Sequence, residues 1–135
     1  SNKIRKISHL VDVWHSVTSL KLAREIHKRN HQAKILLQVS LMGPSNAQGF
    51  GTQELPNAIT ELRDENIHIS GLMTMGVPDD MVATRVVFER LRKLADTFEL
   101  PECSMGMSDD FEIALESGAS MIRVGSAIFG NRRPD

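Results

Sequence analysis

The sequence predicts an α/β protein built on a parallel sheet. Three observations carry this. Apolar runs of strand length alternate strictly with longer segments of helical periodicity, at least one run is apolar throughout, and Gly, Pro, Ser, Asn and Asp punctuate the joints. Five strands and four intervening helices result, with right-handed crossovers between neighbours. The pattern alone leaves two architectures open, an open doubly wound sheet or five-eighths of a barrel. A complete eight-stranded barrel takes about 250 residues, and this chain has 135.

Residues 1–10 are a basic lead-in without a strand signal. Residues 11–15 (VDVWH) alternate as a strand, and a helix over 18–29 follows with Leu20, Ala23 and Ile26 on one stripe and Asn30 as its stop. Residues 35–41 (ILLQVSL) read as a strand buried on both faces. The loop 42–51 is rich in Gly, Pro, Ser and Asn, and loops held by a rigid scaffold are where binding residues concentrate. A helix over 52–65 presents Leu55, Ile59 and Leu62, with Pro56 tolerated in its first turn.

The third strand spans 67–75, with Gly71 a point of close backbone approach and Gly76-Val77-Pro78 ending it. Asp79 or Asp80 caps a long helix whose stripe is Val87, Leu91, Leu94 and Phe98, and Leu100-Pro101 closes it. A strand at 103–107, a helix at 109–117 ending at Gly118, and a strand at 121–125 complete the series. Residues 1–135 are expected to form one domain.

Composition narrows the function. Apolar residues make up 41% of the chain, as in soluble globular proteins, and no run has the length of a membrane helix. A formal net charge of −1 with interspersed signs, one Trp and no Tyr argue against a nucleic-acid surface. The single cysteine, Cys103, allows no internal disulfide, and with no secretory signal in the N-terminal residues a cytoplasmic location is expected. His15 and His68 read as hydrogen-bonded structural residues, and His9, His27 and His31 as solvent-facing.

The chemistry concentrates in 104–130, SMGMSDDFEIALESGASMIRVGSAIFG. Met107 and Ser108 leave one strand and open a helix, while Gly125 and Ser126 leave the next. Unpaired amides at such helix starts attract phosphate, Gly125 admits close approach, and the two serine hydroxyls add donors. In parallel barrels the phosphate site commonly lies after the last two strands. Ser108 before Asp109-Asp110 is also an ordinary helix cap, and Gly-Ser an ordinary turn. Asp109 and Asp110 read as caps rather than metal ligands, since no His or Cys stands beside them at ligand spacing.

Together with NKIRK (2–6), VDVWHSV (11–17), ILLQV (35–39) and HISGLMTMG (68–76), this stretch resembles the pyridoxal phosphate homeostasis protein family. That family is similar in fold to the N-terminal barrel domain of bacterial alanine racemase. The resemblance implies a partial (β/α)8 TIM-type barrel, its first three units missing, and pyridoxal 5'-phosphate as the cofactor of a non-catalytic carrier. Carried over by motif, the phosphate contacts fall on Met107, Ser108, Gly125 and Ser126. Arg123 falls where the family's arginine meets the pyridine nitrogen. An arginine has only donors and keeps its proton, so the nitrogen facing it is unprotonated and the ring is a poor electron sink.

None of the six lysines (3, 6, 21, 28, 34 and 93) matches the family's Schiff-base lysine, so only weak, non-covalent binding is expected. Where many relatives carry Asn, Glu and Lys in the loop after Gln-Val, this chain has Ser40, Pro44 and Ala47. Two other readings stand beside the carrier: a racemase-like enzyme, which needs a second acid/base group that a chain without tyrosine does not supply in the usual form, and an open-sheet domain for another phosphorylated metabolite. Exposed barrel edges imply self-association or a complementary N-terminal fragment as partner.

Overall fold

The computed structural model describes residues 13–41, 49–106 and 110–121. Along them run β1 (Val13–Val17), α1 (Leu20–Arg29), β2 (Lys34–Ser40), β3 (Phe50–Gly51), α2 (Leu55–Asp64), β4 (Ile69–Met73), α3 (Met81–Thr97), β5 (Glu102–Ser104) and α4 (Phe111–Glu116). All strand pairs are parallel, and Met121 forms a further parallel bridge with Ser104.

The main strand order, β1-β2-β4-β5, follows the chain without reversal, with β3 paired to the end of β2. A doubly wound sheet reverses its order at a switch point. Successive right-handed crossovers without reversal put every helix on one face, as in a barrel wall. Consistently, α1 contacts α2 and α3 contacts α4. The structure is therefore a partial barrel of parallel strands alternating with helices, and the doubly wound alternative falls.

Most elements sit within two or three residues of their predicted limits. The first strand runs past its expected end to Val17, residues 11 and 12 lying outside the described residues, and helix α1 begins after Ser19, whose hydroxyl accepts the Leu22 amide at 3.1 Å. Asp80, not Asp79, caps α3: its Oδ1 accepts the Ala83 amide at 2.9 Å, while Asp79 takes a positive φ of 60° in the turn before it. The two-residue strand β3 was not predicted, because Phe50-Gly51 carries too short a pattern to separate it from the surrounding loop. Of the strand expected at 121–125, only Met121 is among the described residues.

The core lies between sheet and helices. Ile35, Leu37, Val39, Leu72 and Cys103 point into it from the strands, and Ile26, Leu62, Phe88 and Leu91 meet them from the helices. Each such fully buried apolar side chain contributes about 1.5–3 kcal/mol relative to exposure. The α3 stripe is rotated from the predicted one: Thr84, Val87, Phe88, Leu91 and Ala95 are buried, while Leu94 and Phe98 pack at the margin. Thr84 concealed this in the sequence. It tolerates burial because its hydroxyl accepts the Val77 amide at 2.9 Å and lies 2.8 Å from the Asp80 carbonyl.

Three of the helix-to-strand turns share one design. After α2, α3 and α4 the chain passes through a left-handed residue, Asn66 (φ 63°), Glu99 (φ 58°) and Gly118 (φ 100°). In each turn the following residue donates back into the helix: Ile67 to Leu62 at 3.0 Å, Leu100 to Ala95 at 2.8 Å, and Ala119 to Ala114 at 2.9 Å. These are Schellman caps, and the buried Ile67 and Leu100 supply their apolar contacts.

Candidate functional site at the carboxyl ends of the strands

In parallel α/β folds ligands bind where the strands end. Here Gln38, Met73, Ser104 and Met121 stand in register across β2, β4, β5 and the bridge beyond. The neighbouring row of Leu37, Leu72 and Cys103 joins the core beneath the helices, so the Gln38 row occupies the opposite, inner face. Gln38 is half-buried, and Met73 and Ser104 are buried.

Backbone bonds lock this rim together. The Thr74 hydroxyl donates to the Val39 carbonyl at 3.0 Å and its amide donates to the Ser104 carbonyl at 3.1 Å, tying β4 to both neighbours. The Met105 amide donates to the Met121 carbonyl at 3.1 Å. The Ser120 hydroxyl accepts the Cys103 amide at 2.7 Å and donates to Glu102 Oε1 at 2.6 Å. Met121 therefore stands in parallel register with Ser104, the last residue of β5. Gly106, at φ 99°, makes the first turn off β5 in a conformation that other residues rarely adopt.

The loops after β4 and β5 touch. Asp110 is the residue before α4, yet its side chain makes no capping hydrogen bond, contrary to the expected cap role. Its Oδ2 lies where a Cβ on Gly76 would stand only 2.5 Å away. Helix α4 has six residues instead of the expected nine, so its dipole is a smaller contributor to anion binding than the sequence implied. On the opposite face, burial pushes the Cys103 thiol up to about 11, leaving it protonated and unreactive.

Met107, Ser108, Arg123, Gly125 and Ser126 all lie outside the described residues, as do Asp109, Pro44 and Ala47. What the described residues bring together is Ser104 and Met121, which precede those five in the sequence. Ser40 ends β2, half-buried and paired with Gly51. Thr74 and Gly106 were not singled out from sequence; Gly106, between two methionines at a strand end, was the available signal. His68 is exposed rather than buried in a structural role. It lines an open pocket of about 370 Å³ with Arg63, Asn66 and Glu99, at the far, amino-terminal end of the sheet. Among the described residues no three His, Cys, Asp or Glu side chains cluster as metal ligands. No helix among them is long and apolar enough to cross a membrane.

A family model described as alanine racemase, N-terminal domain, matches residues 1–133. The chain belongs to this family. Among curated relatives of this alanine racemase-like chain, the pyridoxal phosphate homeostasis protein of Aquifex aeolicus is 34% identical over 98% of this chain and 64% of its own length. The protein of the same name from Pseudomonas aeruginosa is also 34% identical, over 98% of this chain and 61% of its own. The chain thus spans a little under two thirds of these relatives. PipY of Synechococcus elongatus, in a structure with PLP bound, superposes with a TM-score of 0.82 at 30% identity, covering 96% of this chain and 66% of PipY.

Proposed function

We propose that this chain is part of a pyridoxal 5'-phosphate-binding carrier or homeostasis protein, with Met107, Ser108, Gly125 and Ser126 holding the phosphate and Arg123 facing the ring nitrogen. The observation that supports this reading is the parallel Ser104–Met121 bridge, whose two residues precede the two motif segments in the sequence. Arg123 stands two residues beyond Met121 in the sequence, the spacing expected of residues on one face of a strand. Homeostasis proteins and PLP-bound PipY among its relatives support the choice of cofactor.

In this reading residues 1–135 are one domain that acts in the cytoplasm and binds without catalysing. The cofactor supplies an aldehyde and an electron-withdrawing ring when bound. This chain's part is to grip the phosphate and to keep the ring nitrogen unprotonated beside a permanent cation. No lysine of the chain matches the family position that would bond the aldehyde, so uptake is non-covalent and weak. β1 has only β2 beside it among the described residues, and a second copy or a complementary N-terminal fragment covers that edge.

Equilibrium dialysis against pyridoxal 5'-phosphate, with inorganic phosphate and pyridoxal as competitors, tests the assignment. Phosphate and pyridoxal should each compete more weakly than the intact cofactor, and Arg123→Ala and Ser108→Ala should each weaken uptake about tenfold, as for loss of one charge-assisted contact. Uptake that inorganic phosphate matches, or that neither substitution changes, would favour the generic phosphate-binding domain instead.

A further inference from the structure

We propose that His27 and His31 form a two-imidazole site for a borderline divalent cation, Zn²⁺, Ni²⁺ or Cu²⁺, at the carboxyl end of α1. Their rings are paired with centroids 4.8 Å apart and planes inclined by 28°. A nitrogen about 2.0–2.1 Å from the metal places its ring centroid about 3.2 Å away, so two imidazoles bound at 90–110° have centroids about 4.5–5.2 Å apart. The observed separation falls inside that range. The rings are stacked, so chelation requires them to turn until their nitrogens, rather than their faces, converge.

The surroundings favour a cation there. The last turn of α1 is the negative pole of the helix. Across from it on α2, the Glu65 carboxylate interacts with His27, although its oxygens are engaged by Arg24. Lys28 and Arg29 on the same turn oppose the charge, and they set a ceiling on affinity. Burial and then the neighbouring His31 lower the pKa of His27, which keeps its ring in the neutral form that binds metal. With no third ligand clustered among the described residues, water completes the coordination sphere. The site lies at the end of the sheet opposite the proposed cofactor rim and is independent of it.

The test is isothermal titration of the chain with ZnCl₂ near neutral pH, repeated with His31→Ala, His27→Ala and Lys28→Ala. One zinc per chain is expected, weakened at least about tenfold in each histidine variant and tightened in Lys28→Ala. His31 is exposed, so its variant keeps the fold, and unchanged circular dichroism would verify that. Wild-type binding no stronger than millimolar, or a histidine variant with the wild-type isotherm, would overturn the proposal.

Discussion

The two ends of the sheet are built differently. At the amino-terminal end, the turns after α2, α3 and α4 repeat one solution: a left-handed residue, a back-bonded successor and an apolar side chain entering the core. At the carboxyl end the described parts of the connections after β2, β4 and β5 differ. One contains β3, one is tied by Thr84, and one turns at Gly106 toward the candidate cofactor segment. Repetition at one end and variety at the other is what a fold does when one end supplies stability and the other supplies binding. The proposed cofactor contacts belong to the varied end.

Gly71 offers the largest test, because it belongs to the scaffold in the middle of the sheet. A Cβ there would overlap the backbone carbonyl of Glu102 on β5. Backbone cannot swing aside as a side chain can, so Gly71→Ala must part β4 from β5 and open the register that carries Met73 and Ser104. We expect a loss of about 3–5 kcal/mol in urea denaturation, or failure to fold, against the ~1 kcal/mol of an ordinary substitution. A variant with wild-type stability would mean that the strands are not so closely joined.

A smaller contrast separates the two ends directly. Gly118→Ala places a Cβ 2.7 Å from Arg92 Cδ at a φ of 100°, and should cost about 1–3 kcal/mol. Glu99 occupies the equivalent left-handed position without glycine's freedom, so Glu99→Gly should gain about 0.5–1 kcal/mol. Both are read by urea midpoints, and neither should alter pyridoxal 5'-phosphate uptake under conditions where the variants are folded. A change in uptake from either would break the division of labour between the ends.

How far this was legible in the sequence follows the same division. The alternation of elements, the close approach at Gly71 and the turn at Gly118 could be read because each rests on local chemistry: periodicity, a missing Cβ, a helix stop. Strand order could not, since sequential and reversed orders use the same βα units, and only pairing tells them apart. The α3 stripe was misread because Thr84 is buried through hydrogen bonds that sequence does not display. Asp110 was misread for the converse reason: a carboxylate before a helix looks like a cap, but this one packs beside Gly76. The motif residues of the candidate site came from a contiguous stretch, whereas Thr74 acts through neighbours distant in sequence and carried no local signal.

The smallest effect concerns acid. Arg24 on α1 reaches across to α2, where its Nη2 bonds Glu65 Oε2 at 2.7 Å and Nε bonds Glu65 Oε1 at 2.9 Å, with Glu61 also in contact. The hydrogen bonds from Arg24 hold the Glu65 carboxyl below its ordinary value of 4.5; desolvation opposes them, and attraction to Arg24 and His27 adds to them. A carboxyl whose folded pKa is depressed contributes stability above the unfolded value and loses it as pH falls through the folded one. Glu65 is the residue that ends α2, so this contribution belongs to the amino-terminal scaffold. Glu65→Gln should therefore leave a flatter stability profile below about pH 4.5, measured by urea midpoints across the acid range. The difference should shrink in high salt, because the pair is exposed and screened. Identical acid profiles for both proteins would mean that Arg24 and Glu65 meet without coupling, leaving α1 and α2 joined through the core alone.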